Sequence, residues 1–239
     1  VGCMVEVLAA VTAAVKDKGG RPLILPAMGS HGGGTAEGQI EVLRHLGQTP
    51  ETLGAPIHDR MEPVVVGEAE GCPVYADRAA IEADHILIVN RVKEHTEFIG
   101  AIESGLIKMA VVGLGRVAGA EVMHQLAVRV SYVQAITAMA RVLFQKLPIL
   151  GGIAILEDKT NTVRRLEAVP AAAAHGVEVK EVLEAVFDGV LAGADAGGEA
   201  GVAGAVEVVC SDVLGATSFF SPVLGAGASL PEDGFILSE

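Results

Sequence analysis

The chain has 239 residues, of which 51% are hydrophobic, so it is long enough to bury a full core in one large domain, or in one domain and part of another. Its formal net charge of −13 argues against nucleic acid or an anionic membrane as a partner, because such binding depends on lysine and arginine. The sequence has no secretory signal and no apolar run of membrane-spanning length. Three cysteines without metal-type spacing are typical of reduced thiols, and we therefore expect a soluble cytoplasmic protein.

The first predicted element is a helix over residues 4–18, where Val5, Leu8, Val11 and Val15 follow helical spacing. The chain begins with Val1 rather than methionine, next to this helix. We therefore expect that an N-terminal part of the protein is missing.

A short buried strand over residues 23–25 is predicted next, and it leads into a glycine-rich loop over residues 26–34. Thr35 is a suitable N-cap for the helix that follows, because its hydroxyl can accept a hydrogen bond from a free backbone amide. Gly47 is placed to end that helix in a left-handed conformation.

Further along the chain, short apolar runs alternate with helical patterns. This alternation predicts an α/β fold with a doubly wound, mostly parallel sheet and helices on both faces. The predicted strands cover residues 64–66, 86–89 and 152–156, and the predicted helices cover 117–145 and 177–186.

The end of the chain differs in composition, because no lysine or arginine follows Lys180, and glycine, alanine and valine dominate. We divide the chain into an incomplete α/β domain over residues 1–186 and an unassigned acidic region over 187–239. The second region is read as a flexible tail, as part of a second domain, or as a reading-frame artefact.

Two histidines follow predicted strands, since His31 lies six residues after Leu25 and His95 lies six after Val89. Ligands of doubly wound folds bind beyond the carboxyl ends of parallel strands, so two strands can deliver two imidazoles to one edge of the sheet. His31 is followed by three glycines and a helix start, which permit close backbone approach and attract anions. Taken singly, each histidine also fits an ordinary surface loop.

Two further residues have the chemistry of a cofactor anchor. Lys108 has apolar neighbours, which could desolvate its amine and favour a nucleophilic or covalently attached role, although a lysine there could also extend to solvent. His124 lies within the predicted helix 117–145 and carries an imidazole, a good nickel ligand, although a single histidine does not make a metal site. The glycines around Gly113 form only an imperfect dinucleotide motif, and Cys72 is read as part of a turn.

Together, the segments PAMGSHGGGTAEGQ, ADHILIVNRVKEHTEF and GAIESGLIKMAVVGLG and the helix with His124 resemble the nickel-dependent lactate racemase family. The resemblance covers roughly residues 1–186, which would form the N-terminal domain of such a protein. The interval of sixteen residues between Lys108 and His124 agrees with the spacing in that family.

The resemblance implies an isomerase, namely a racemase or epimerase of a small α-hydroxy acid. The implied cofactor is a nickel-pincer nucleotide (nickel pyridinium-3,5-bisthiocarboxylic acid mononucleotide). It assigns the cofactor tether to Lys108, the nickel ligand to His124, and the two acid/base roles to His31 and His95. A histidine on each side of the substrate serves both enantiomers, because its pKa lets it accept or donate a proton near neutrality. The implied partners are the substrate and the proteins that make the cofactor.

Three departures from the family pattern accompany the resemblance. The interval between His95 and Lys108 is a few residues longer, the substrate-carboxylate arginine would precede Val1, and the region after Phe187 does not resemble the family's second domain. Whether the fragment is active without these parts stays open. Two alternatives also stay open: a non-catalytic or differently reacting cofactor-binding homologue, and a generic nucleotide-binding domain.

Overall fold

A sheet of five strands forms the centre of the computed structural model, which describes residues 4–92, 105–157, 163–171 and 205–211. The strand order is β1-β7-β4-β5-β6. β1, β7, β4 and β5 run parallel, and β6 is antiparallel to β5 at one edge. The strands of the sheet are β1 (Arg21–Pro26), β4 (His85–Val92), β5 (Ile149–Glu157), β6 (Val163–Pro170) and β7 (Ala205–Ser211).

Seven α-helical segments surround the described strands, and two of them flank irregular turns that matter for the site. Gly32–Gly34 forms a 3₁₀ turn before α2, and Met109–Gly113 forms a π-helical turn after α5. The helices are α1 (Met4–Asp17), α2 (Ala36–His45), α3 (Pro50–Leu53), α4 (Arg78–Glu82), α5 (Leu106–Lys108), α6 (Arg116–Arg129) and α7 (Tyr132–Lys146).

Alternate side chains of β4 enter two separate apolar clusters, because successive side chains of a strand point to opposite faces. Ile86 and Ile88 join the cluster formed with α6, α7 and the π-helical turn. Leu87 and Val89 join the cluster formed with α1. The chain therefore has the α/β class that its sequence predicts, with a sheet of mixed strand direction; the doubly wound topology stays a prediction.

The single helix predicted over residues 117–145 is wrong, since the structure has two helices there. α6 ends at Arg129, and Ser131 starts α7 with a φ of 139° and a hydroxyl that accepts a hydrogen bond from the Gln134 amide. Helical periodicity continues across this junction, so the pattern of apolar residues does not reveal the break.

The strand predicted over residues 64–66 exists but does not enter the central sheet. It forms part of β2 (Pro63–Ala69), which pairs only with β3 (Cys72–Asp77) in an antiparallel hairpin within the described residues. Glu70 and Gly71 turn the chain with positive φ values. Cys72 is thus the first residue of a strand rather than part of the turn.

A strand that the sequence pattern did not predict lies inside the sheet, next to its β1 edge. β7 pairs with β1 on one side and with β4 on the other, although it lies after the domain boundary drawn at residue 186. The predicted helix over residues 177–186 lies outside the residues that the structure describes. Of the helices that are described, none is long and apolar enough to cross a membrane.

A buried arginine ties several of these elements together. Arg116 is 1% exposed, and its Nε lies 3.0 Å from Oδ2 of Asp77, which is fully buried. The guanidinium also donates to the carbonyl of Pro26 at the end of β1, and to the carbonyl of Arg60 at 2.8 Å. Asp77 in turn accepts hydrogen bonds from the amides of Glu62 and Ala79. The buried charges are therefore paired and hydrogen-bonded, as burial requires.

Replacing Arg116 with methionine is expected to lower the free energy of unfolding by about 3–5 kcal/mol, because the Asp77 carboxylate stays buried without its partner. The matched control is Arg78→Gln, which breaks an exposed ion pair with Glu62 at 3.0 Å and should cost less than about 1 kcal/mol. Urea unfolding measures both values. Equal costs for the two variants would show that the buried pair has no special role in stability.

Candidate functional site

The loop after β1 holds the backbone of His31 in place while leaving part of its ring exposed. The His31 amide donates to the Met28 carbonyl at 3.0 Å, and the His31 carbonyl accepts from the Gly34 amide at 3.1 Å. Gln39, which is fully buried, donates through Nε2 to the carbonyls of Gly29 at 2.9 Å and His31 at 3.3 Å. The loop is thus built to fix one histidine at the carboxyl end of a strand.

The glycines of this loop differ in how much space surrounds the position of a Cβ. A Cβ on Gly32 would lie 2.5 Å from the carbonyl carbon of Gly38, so the 3₁₀ turn packs directly on the start of α2. A Cβ on Gly33 would have no heavy atom within 4 Å. Thr35 then caps α2 by accepting from the Gly38 amide at 3.1 Å, as the sequence predicts, and Gly47 has the expected positive φ of 78° after the helix.

The segment with Lys108 packs against the same loop. Lys108 ends α5 and is partly buried, and the π-helical turn follows it directly. A Cβ on Gly113 would lie 2.7 Å from Cβ of Ala27, and a Cβ on Gly29 would lie 2.9 Å from Cγ1 of Val112. Because these positions are glycines, the Lys108 segment and the His31 loop can approach each other at backbone distance. Single-turn π-helices such as the one after Lys108 occur frequently at functional sites.

His31 and Lys108 are coupled electrostatically. Partial burial lowers the pKa of His31 below its usual value, and the positive charge of Lys108 lowers it further. Both causes disfavour the imidazolium, since one removes its hydration and the other places a like charge nearby. His31 is consequently neutral at neutral pH and able to accept a proton. The structure thus brings together two of the four residues that the sequence singled out.

His124 lies on the exposed part of α6, on the helix face that the loop contacts. A Cβ on Gly34 would lie 3.0 Å from Cγ2 of Val117, and a Cβ on Gly29 would lie 3.7 Å from Cβ of Ala120. His124 follows Ala120 by four residues, so it lies on the same face, one turn farther along. The helix that carries His124 is thus anchored to the His31 loop.

His95 lies outside the residues that the structure describes. The described part of its strand, β4, runs parallel to β1 with β7 between them. The carboxyl ends of β1 and β4 therefore face the same edge of the sheet, and His95 follows Val92 by three residues. Its convergence with His31 stays a prediction.

A metal site composed only of protein ligands is not found in the described part of the chain, where no three His, Cys, Asp or Glu residues are grouped to hold an ion. Of the other histidines, His45 lies beside Glu41 on the surface, and His58 Nε2 lies 3.6 Å from Asp77 Oδ1. Each of these two histidines therefore lies next to a carboxylate and is not one of the candidate site residues.

Two residues that support this site, Arg116 and Gln39, are not among the candidates that the sequence indicates. Arg116 holds the end of β1, and Gln39 holds the carbonyl of His31. A polar residue eight positions after His31, in the second turn of a predicted helix, is a weak signal for Gln39. For Arg116, no local signal exists, because its partner Asp77 is 39 residues away and its φ of 55° is invisible in the sequence.

The fold and site define an α/β protein with a lysine, a histidine and a glycine-rich loop at the carboxyl edge of its sheet. No protein-family model matches the chain, and no curated protein matches it. The structure of the lactate racemase apoprotein from Thermoanaerobacterium thermosaccharolyticum matches 73% of this chain, with a TM-score of 0.31 and 12% identity. The match spans 50% of that protein's chain. At these values the likeness establishes neither a family nor an activity.

Replacing Lys108 with methionine is expected to raise the pKa of His31 toward its usual value, because the variant removes a nearby positive charge. The pKa should stay somewhat depressed, since the partial burial remains. NMR titration of the His31 ring measures this change, and Lys146→Met, at the end of α7, is the matched control. An unchanged His31 pKa in the Lys108 variant would contradict the coupling.

The glycines of the loop offer a second test through the pair Gly32→Ala and Gly33→Ala. Both residues have positive φ values, 64° and 69°, so each substitution carries a backbone cost of about 1–2 kcal/mol. Only Gly32→Ala also places a methyl group against the backbone of Gly38, which should add about 1–3 kcal/mol. Urea unfolding compares the two, and equal losses of stability would contradict the tight packing of the turn.

Proposed function

We propose that this chain is part of a cytoplasmic racemase or epimerase of a small α-hydroxy acid that carries a nickel-pincer nucleotide on Lys108. The resemblance of four segments to the nickel-dependent lactate racemases motivates the assignment. The observation that carries it is the electrostatic coupling of His31 with Lys108, beside a loop that also contacts the helix of His124. Three of the four proposed residues thus belong to elements that pack on one another.

The residues present have the chemistry to hold such a cofactor. Lys108 offers a primary amine that can be acylated, and His124 offers an imidazole nitrogen for nickel. A cofactor that supplies its own donor atoms needs only one ligand from the protein, so a cluster of protein ligands is unnecessary. When bound, the cofactor would supply a reversible acceptor for the α-hydrogen of the substrate together with its electron pair.

The acid/base work in this proposal belongs to the chain itself. Neutral His31 would accept the proton of the substrate hydroxyl as the α-carbon becomes planar, and would return it at the end of the reaction. His95, following the parallel strand β4, would perform the same task for the opposite enantiomer. Partial burial would still lower the pKa of His31 after acylation of Lys108, so its base form would persist to a more acidic pH than that of an ordinary histidine.

The division into a domain over residues 1–186 and a separate region over 187–239 stays a prediction, to which the pairing of β7 with β1 and β4 adds one strand. We infer that residues 205–211 belong to the same α/β domain as the proposed site. Under this proposal, the proteins that make the cofactor are the partners of the chain.

The proposal predicts a covalent mass increase on Lys108, and about one nickel per chain, after expression together with the cofactor-making enzymes. Intact mass and peptide mass spectrometry with metal analysis test both, and Lys108→Met should lose both. An unmodified Lys108 under these conditions would overturn the assignment of the tether.

Catalysis needs a separate measurement, with single enantiomers of small α-hydroxy acids as probes. Racemisation in D₂O should leave the α-carbon free of deuterium, because the α-hydrogen returns from the cofactor rather than from solvent. His31→Asn should keep the nickel and lose turnover by at least about 100-fold, the usual contribution of a general acid/base. Loaded protein that racemises no probe would instead indicate a non-catalytic cofactor-binding homologue.

A further inference from the structure

A cavity lies on the face of the sheet that α7 covers, and no residue of the His31 loop lines it. It has a volume of about 360 Å³ and lies between α5, α7 and the strands β4 to β6. Its walls are mostly apolar and include Ile88, Leu106, Phe144 and Val169. Leu106 and Phe144 are only partly buried, and Val169 is 39% exposed, so apolar surface stays open to solvent inside the cavity. This volume is within the range of about 300–1,000 Å³ that small-molecule sites have.

One charged residue lines this cavity. Arg141 is exposed, and no acidic side chain of the described chain forms an ion pair with it. Arg141 also borders a neighbouring cavity of about 350 Å³ on the other side of α7, which Glu70 helps to line. A guanidinium that pairs with no carboxylate among the described residues, and that lies beside apolar walls, offers a local positive charge to a small anion. Thr137 adds a hydroxyl to the same lining.

We propose that this cavity binds a small carboxylic acid with an apolar chain or ring. Its carboxylate would pair with Arg141, whose planar guanidinium matches the two oxygens of a carboxylate. Its hydrocarbon part would cover Leu106, Phe144 and Val169, and thereby remove apolar surface from water. A neutral molecule of the same shape would leave Arg141 unused, so the combination of walls and charge selects an amphipathic acid.

The cavity borders α5, the helix that ends at the proposed tether Lys108, but Lys108 itself does not line the cavity. Leu106 and Ile107 line it, and Lys108 is the next residue of α5. An acid bound there would contact the helix that carries Lys108 from the side of the sheet. The proposal does not rest on the proposed function, because the cavity, its walls and Arg141 are independent of any cofactor.

The test uses the full 239-residue chain and octanoate as the probe, with octanamide as its neutral counterpart. We expect octanoate to bind by calorimetry and to raise the melting temperature, because a ligand that binds the folded state stabilises it. Octanamide should bind at least tenfold more weakly. Arg141→Gln should weaken octanoate binding at least tenfold, whereas Lys146→Gln, which removes an exposed charge from the same helix, should leave it unchanged.

NMR of methyl groups locates the site. Octanoate should shift the resonances of Leu106, Ile107 and Val169, and should spare Val65 and Val128, which are exposed apolar residues elsewhere on the protein. Equal shifts at all these methyls would show non-specific adsorption and overturn the proposal. Absence of binding, or binding that is equal in Arg141→Gln or equal for octanamide, would overturn it as well.

Discussion

The ion pair of Arg116 with Asp77 is the constraint on which the arrangement of this chain depends. Both side chains are fully or almost fully buried, and a buried charge is tolerated only when its partner and its remaining hydrogen bonds are present. Arg116 meets this condition by joining the end of β1, the end of β3 and the carbonyl of Arg60. The loop with His31 leaves β1 directly after that point, and α6 with His124 begins at Arg116 itself. One guanidinium therefore joins the elements that carry both candidate residues.

Several glycines near the candidate site permit close packing between segments of the chain. The sequence alone suggests that Gly32, Gly33 and Gly34 keep space for a bound anion. In the structure, the backbone of Gly38 leaves no room for a Cβ on Gly32, a Cβ on Gly34 would lie 3.0 Å from Cγ2 of Val117, and of the three only Gly33 has open space around its missing Cβ. Gly113 and Gly29 similarly permit contact between the β1 loop and the turn after Lys108. The glycine-rich pattern thus marks the place where the candidate segments meet.

Local patterns predicted those parts of the fold whose causes are local. The first helix, the strands β1, β4 and β5, the Thr35 cap and the left-handed Gly47 follow from periodicity and capping chemistry. The break between α6 and α7 had a local signal as well, because Ser131 and Gln134 have the spacing of a helix start. That signal was hidden by an apolar period that continues through it.

Sheet membership and long-range pairs are different, because they depend on contacts across the fold. The run at residues 64–66 does not by itself show that it stays outside the central sheet, and no residue near Arg116 identifies Asp77 as its partner. The same distinction between local and long-range causes applies to the candidate site. His31, Lys108 and His124 were found from local sequence, whereas Gln39 and Arg116, which hold the site together, depend on contacts across the fold.

The electrostatic coupling of His31 with Lys108 links attachment of the proposed cofactor to the pKa of His31. While the Lys108 amine is not acylated, its positive charge adds to the effect of partial burial and lowers the pKa of His31 further. Acylation of the amine, which the proposed tether requires, would remove this charge. The pKa of His31 would then rise toward its usual value, and the imidazole would become a stronger base. Under the proposed function, the same bond that anchors the cofactor would therefore prepare His31 to take and return a proton near neutral pH.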